Sequence, residues 1–128
     1  MKKFLPWILV GILGLVSVFI MLPKNEWSIE NPNANVVVRD GVQYVTINAR
    51  GGYSPRTSTV KSGIPTKLIM KTSNTYDCSS ALVVRSANYR DMLPANGETE
   101  IDLGTPKIGG KIQGTCSMGM YSFAINVN

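Results

Sequence analysis

Residues 111–127, KIQGTCSMGMYSFAINV, carry the pattern that decides the fold of this chain. Alternate side chains of a strand share a face, so Cys116, Met118 and Met120 would point the same way. After Met120 the apolar positions change phase, and the new set is Tyr121, Phe123, Ile125 and Val127. A change of phase needs a bend, a bulge or a loop, and Gly119 tolerates the backbone angles this requires. We therefore predict strands at 111–116 and 121–127, with the three sulfur atoms at the rim between them.

The chain from residue 36 onward repeats this extended pattern. The segment VQYVTINA at 42–49 alternates in period two, and Asp40-Gly41 before it is a two-residue turn that pairs it with 36–38 as a hairpin. Further strands are predicted at 57–61, 66–72, 81–84 and 98–103, whereas residues 86–96 are predicted to be irregular. Short strands with Gly and Pro turns, and no helical periodicity, predict an all-β antiparallel sandwich or barrel.

The amino-terminal segment has a different character. Residues 4–22, FLPWILVGILGLVSVFIML, contain no charge and are long enough to cross a bilayer as a helix. A cleavable signal peptide is the alternative, but the apolar run is long and no small-x-small cleavage site follows it. We predict a membrane anchor helix at residues 1–23, a polar linker at 24–35 and one domain at 36–128.

The composition excludes several function classes. The chain has no histidine, so a Ser/His/Asp triad, a Cys/His dyad and a His-rich zinc site are impossible. Its net charge of +5 is scattered along the sequence, which gives little support to nucleic-acid binding. The carboxylates, Asp77 among them, show no spacing of a catalytic pair and are interpreted as surface groups. We expect a protein that is not an enzyme.

The sulfur atoms form the one set of residues with a distinct chemistry. Thiolate and thioether are soft ligands that favour copper(I). Cys78 lies on the polar loop 73–80 and could meet Cys116 at the same rim, so that Cys78, Cys116, Met118 and Met120 would hold one or two copper(I) ions. Met70 and Met92 are instead assigned to core filling, the commonest use of methionine.

A Cys78–Cys116 disulfide is the competing interpretation of the two cysteines. An oxidising exterior would favour it, and residue types alone leave the disulfide and the metal pair nearly balanced. The two nearby methionines favour metal. Zinc is disfavoured because a structural zinc site takes four Cys or His ligands and the chain has only two.

The sequence from Gly52-Tyr53-Ser54-Pro55 to Val127 resembles the cupredoxin fold, which would cover the whole domain. The segments YSP, TVKSGIPTKL and GTCSMGMYSFAINV, with a cysteine on the loop between the last two, are similar to a copper(I)-binding cupredoxin subgroup. That subgroup comprises membrane-anchored copper chaperones of Gram-positive bacteria, the CupA type, and amino-terminal domains of some copper-exporting P-type ATPases. Blue-copper cupredoxins use two His, one Cys and an axial Met, and this chain lacks the histidines.

The resemblance implies a Greek-key β-sandwich and a binuclear copper(I) site. In it Cys78 and Cys116 would bridge the two ions, and Met118 and Met120 would each cap one. It also implies copper resistance as the role, with sequestration of copper(I) at the membrane and delivery to a copper-exporting P-type ATPase.

The side of the membrane is left open by conflicting signals. Lys2 and Lys3 precede the apolar run, which by the positive-inside rule weakly favours a domain outside the cell. The resemblance favours the cytoplasmic face, which we adopt as the expectation. The alternatives are an extracytoplasmic copper-binding or assembly protein and a disulfide-bonded structural β-domain without metal.

Overall fold

The computed structural model describes residues 34–128, which form ten strands in two sheets. Single turns of 3-10 helix lie at Cys78–Ser80 and Arg85–Ala87. The predicted anchor at 1–23 and the linker up to residue 33 lie outside the described residues. Within residues 34–128, no helix has the length and apolar character needed to span a bilayer. The strands are β1 (Val36–Arg39), β2 (Val42–Ala49), β3 (Tyr53–Ser54), β4 (Thr57–Val60), β5 (Thr66–Thr72), β6 (Ala81–Val84), β7 (Tyr89–Met92), β8 (Gly97–Gly104), β9 (Lys111–Cys116) and β10 (Ser122–Val127).

The two sheets are mixed, so the predicted purely antiparallel sandwich is wrong in this respect. The first sheet has the order β1-β2-β5-β8, with β3 also paired to β2, and the second has the order β4-β10-β9-β6-β7. The pairs β2–β5 and β4–β10 are parallel. Parallel neighbours need a long crossover connection, and the chain makes one between β2 and β5 through β3 and β4, which lies in the opposite sheet. The all-β class itself is confirmed.

The predicted hairpin at the start of the domain is confirmed. β1 pairs antiparallel with β2, and Asp40 and Gly41 between them both have positive φ, 50° and 75°. Positive φ at both positions of a two-residue loop is typical of a type I′ turn, whose twist matches that of the flanking strands. Just before β1, the side-chain amide of Asn35 donates to the Thr46 carbonyl in one sheet and to Ser58 Oγ in the other, at 3.1 and 2.8 Å. The ordered domain therefore includes the last residue of the predicted linker.

The core lies between the sheets and follows the alternation seen in the sequence. In β2 the buried positions are Val45, Ile47 and Ala49. In β9 they are Ile112, Gly114 and Cys116, and in β10 they are Phe123, Ile125 and Val127. Even positions are buried before the turn and odd positions after it, so the predicted change of phase is confirmed. Gly119 lies in that turn with φ of 73°.

The segment 86–96 departs from the prediction. It was expected to be irregular, but residues 89–92 form β7, an edge strand with three exposed positions out of four. An edge strand that faces solvent needs no alternation of apolar and polar residues, so its sequence carries no strand signal. Met92 ends this strand and is 64% exposed, so its assignment to the core is wrong; that of Met70, which is fully buried, is confirmed.

Gly114 creates the space in which the aromatic residues beneath the rim pack. A Cβ built on Gly114 would fall inside the Phe123 ring of the neighbouring strand β10. The Phe123 ring in turn packs edge-to-face on Tyr53, with ring centroids 5.1 Å apart. This aromatic pair therefore depends on the absence of a side chain two residues before Cys116.

We predict that Gly114→Ala destabilises the domain by about 2 kcal/mol or more, because the added methyl group must displace a buried ring. Urea denaturation of the full chain, followed by circular dichroism, measures the effect. Gln113→Ala is the matched control, since Gln113 is the exposed neighbour on the same strand. Equal stability of the two variants would contradict this account of the packing.

Candidate metal centre

Cys116 is the last residue of β9 and opens the tight turn to β10. Its side chain is 1% exposed, and its position is opposite Leu82 of β6 in the sheet. Its backbone N–H donates to the Tyr121 carbonyl at 3.0 Å, and its carbonyl accepts from the Gly119 N–H at 2.9 Å. The turn is thus closed by hydrogen bonds on both sides of Cys116, which fixes the direction of its sulfur.

Cys78 is positioned by the residue that precedes it. Asp77 caps the short helical turn Cys78–Ser80, because its carboxylate accepts from the Ser79 N–H at 3.1 Å. The same carboxylate oxygen accepts from the Gly51 N–H at 3.1 Å, which ties the cysteine loop to the end of β2. Burial is the largest single influence on the pKa of Asp77 and raises it, but these hydrogen bonds outweigh it and the net pKa is lowered. An ionised Asp77 therefore holds Cys78 in place.

Two further hydrogen bonds hold the cysteine loop, one from the turn after β9 and one from Tyr53 of β3. The Ser117 N–H donates to the Ala81 carbonyl at 2.8 Å, directly beyond the helical turn of Cys78. The buried Tyr53 hydroxyl donates to the Ser79 carbonyl at 3.0 Å. Burial raises the pKa of Tyr53 well above its ordinary value, and the nearby charges of Cys116, Cys78 and Asp77 act in the same direction. The phenol stays neutral and serves as a donor.

These constraints bring the two thiols close enough to influence each other, and both are free rather than disulfide-bonded. The hydrogen bond with Cys116 is the largest influence on Cys78 and raises its pKa, whereas a backbone N–H from Met118 acts to lower it. Burial is the largest single influence on Cys116 and raises its pKa. Hydrogen bonds from Cys78 and from the backbone of Tyr121, Met120 and Met118 outweigh it, and the net pKa is lowered. Cys116 therefore forms a thiolate first, with Cys78 as its proton donor.

The two methionines contribute their backbone to this pair and leave their thioethers at the surface. The Met120 N–H donates to Cys116 Sγ at 3.2 Å, and the Met118 N–H interacts with the Cys78 sulfur. The side chains of Met118 and Met120 are 78% and 64% exposed. The structure thus brings Cys78 and Cys116 close together and places Met118 and Met120 in the adjacent turn with exposed side chains. Metal ligation by the four residues stays a prediction.

Carboxylates do not supplement this sulfur set. Among residues 34–128 no three Cys, Asp or Glu side chains come together in a group that could hold a metal ion. The side chains gathered at this part of the rim include two thiols and two thioethers, which are donors of the soft type.

Sequence patterns alone did not identify the residues that position the two cysteines. Asp77 was interpreted as a surface group, yet its carboxylate anchors the cysteine loop to two backbone N–H groups. Aspartate directly before Cys-Ser-Ser is a helix N-cap signal that could have revealed part of this role. The contribution of Tyr53 has no local signal, because its partner Ser79 is 26 residues away in sequence.

Comparisons with known proteins agree with this fold. Neither the models of protein families nor the curated proteins provide a match to the chain. Among solved structures, the chain is similar to the metal-binding domain of the Cu(I)-exporting P-type ATPase CopA of Streptococcus pneumoniae D39, determined with Cu(I). The TM-score is 0.64 at 22% identity, covering 73% of this chain and 92% of that one.

Two other solved structures share the architecture. A copper-binding protein, determined in the apo form by NMR, matches with a TM-score of 0.65 at 21% identity over 75% of this chain and 97% of that one. Auracyanin B matches with a TM-score of 0.51 at 11% identity over 75% of this chain and 96% of that one. At these identities the likeness establishes the fold, and the described domain has the cupredoxin-like fold of copper-binding domains.

Proposed function

We propose that the chain binds copper(I) through the thiolates of Cys78 and Cys116, with the thioethers of Met118 and Met120 completing the coordination. The observation that carries this proposal is the proximity of the two thiols at the rim, next to a turn that carries two exposed methionines. Copper(I) is the cargo, and all four donors are of the soft type that it prefers. The likeness of the fold to a metal-binding domain solved with Cu(I) supports the same assignment.

The protein prepares the two thiols for a metal ion in different ways. Cys116 has its sulfur surrounded by N–H donors, which stabilise negative charge before any metal arrives. Cys78 is half-buried and holds the proton that a metal ion must displace. The thioethers have no proton to lose and their flexible side chains are exposed, so they can contact copper(I) first and release it last.

We further propose that this binding serves copper resistance at the membrane. In this role the chain is anchored by residues 1–23, sequesters copper(I) on the cytoplasmic side and delivers it to a copper-exporting P-type ATPase. The supporting points are the CupA-type sequence motif and the likeness to a domain of such an ATPase. The function is binding and transfer rather than catalysis. An extracytoplasmic copper-binding or assembly protein is the alternative with the same site.

A second candidate function uses the same pair of cysteines, Cys78 and Cys116, without a metal ion. Two free thiols that lie close together can be joined as a disulfide, and the domain would then be a structural module stabilised by a crosslink. Mass spectrometry of protein isolated without reductant separates the two functions: a loss of two hydrogens supports the disulfide, and bound copper supports the metal centre.

Anaerobic titration with copper(I) should show saturable binding by the full chain that is abolished in Cys78→Ala/Cys116→Ala. The loss is expected because both anionic ligands are removed. Met70→Leu is the control, since Met70 is fully buried in the core and should leave the stoichiometry unchanged. Undiminished binding by the double cysteine variant would contradict the proposed site.

Met118→Ala and Met120→Ala should each slow or reduce copper(I) transfer to an ATPase metal-binding domain such as that of CopA. The reason is that the thioethers are the exposed donors through which the ion would be exchanged. Met92→Ala is a close control, because Met92 is 64% exposed, as Met120 is, but lies on β7. Transfer that is equally fast in all three variants would remove the role assigned to the thioethers.

Copper(I) affinity should fall as the pH is lowered from 8 to 6. The pKa of Cys78 is raised, so this thiol is protonated throughout that range and must release its proton to bind. For each proton released the apparent Kd rises about tenfold per unit decrease in pH. Competition with a chelator whose own pH dependence is known measures this slope. A Kd that is independent of pH would exclude thiols as the ligands.

A further inference from the structure

An open groove runs along the rim from Met120 towards the end of β2. Its volume is about 460 Å³, within the range of small-ligand sites. Its lining includes Arg50, Ser54, Arg56, Met120, Tyr121 and Ser122. One of the proposed copper donors thus forms part of the wall of a groove that also carries two arginines and two serines.

The two arginines give this groove a positive charge. Arg50 and Arg56 are both exposed, and neither forms an ion pair with any carboxylate among residues 34–128. The ionised carboxylate of Asp77 is bonded to the groove backbone at Gly51, so two guanidinium groups and one carboxylate leave a net positive charge there. Guanidinium groups hold carboxylates with two parallel hydrogen bonds, so a pair of them favours an anion that carries carboxylates.

We propose that this groove binds an anionic low-molecular-weight thiol, that is, a small thiol bearing carboxylates, as the carrier that brings copper(I) to the site. Its carboxylates would lie against Arg50 and Arg56, and its sulfur would reach Met120. This inference rests on the proposed copper(I) function. The hydroxyl groups of Ser54 and Ser122 add donors and acceptors for the polar body of such a molecule.

The transfer is an exchange of ligands with no change of oxidation state. The bond from copper(I) to the carrier sulfur breaks as a bond to the Met120 thioether forms, and copper then passes to the Cys116 thiolate. The carrier leaves as a thiolate and takes up the proton that Cys78 releases when it becomes a ligand. Charge and atoms balance without an oxidant or a reductant.

A small carrier suits the groove better than a second protein. The groove has the volume of a small-ligand site, and its anion-binding groups are confined to its two arginines and hydroxyls. A docking protein would be expected to contact exposed apolar side chains such as Tyr76 and Met118, and neither of these lines the groove. Binding of the small molecule alone therefore tests the proposal.

The test uses S-methylglutathione, which keeps both carboxylates of glutathione but has no free thiol to bind copper or react with the cysteines. Titration of the copper-free full chain, followed by NMR chemical shifts, should give saturable shifts at the groove. Arg50→Gln/Arg56→Gln should weaken this binding by at least about tenfold, since two charge-assisted contacts are lost. Arg85→Gln, an exposed arginine beyond the opposite end of β6, should change it less than twofold.

Absence of saturable shifts, equal binding by the double variant, or an equal loss in Arg85→Gln would each overturn the proposal. A parallel copper(I) titration without any thiol carrier separates this outcome from the function itself. The double arginine variant should keep the copper(I) stoichiometry of the unaltered chain, while the rate of loading from copper(I)-glutathione falls by at least about tenfold. Loss of copper binding in the unaltered chain would instead defeat the proposed function.

Discussion

The tight turn between β9 and β10 is the constraint on which the proposed site depends. Gly119, with its positive φ, lets the chain reverse within four residues, and this reversal changes which side chains face the core. Cys116 is the last inward side chain before the reversal, whereas Met118 and Met120 fall within it and point to solvent. A continuous strand would have buried all three sulfurs or exposed all three. The turn therefore produces a site that is half core and half surface.

The second cysteine reaches this turn through backbone hydrogen bonds rather than through packing alone. Asp77 accepts from Gly51 and Ser79, and Ala81 accepts from Ser117, so the loop is tied both to β2 and to the turn. Each bond satisfies a main-chain group that would otherwise need water. The two cysteines are thus held together by the fold itself, and the entropy of ordering them is lost during folding rather than on binding.

Local patterns in the sequence were sufficient for most of the fold. Strands β2, β5, β6 and β9 were predicted with the observed bounds, because each is half-buried or buried and its alternation or apolar run is visible. Strand β7 was not predicted, because an exposed edge strand carries no such pattern. The parallel pairs β2–β5 and β4–β10 were not predicted either, because the direction of pairing depends on how the chain crosses between the sheets. For the site, spacing suggested Cys116 and the two methionines, and the loop position of Cys78 suggested that it meets Cys116. The roles of Asp77 and Tyr53 depend on partners that are brought together only by the fold.

The division of the sulfurs into buried and exposed groups matches the two demands on a protein that holds and passes on copper(I). Tight holding favours ligands fixed in advance, which describes Cys116 and, through its loop, Cys78. Rapid exchange favours ligands that can detach one at a time and meet an incoming donor, which describes thioethers on flexible, exposed side chains. A site with four buried sulfurs would satisfy the first demand and obstruct the second. The fold alone does not determine the type of ligand, because cupredoxin-like domains also carry imidazole sites. In this chain the ligand type follows from the absence of histidine, and the division into buried and exposed sulfurs follows from the turn at Gly119.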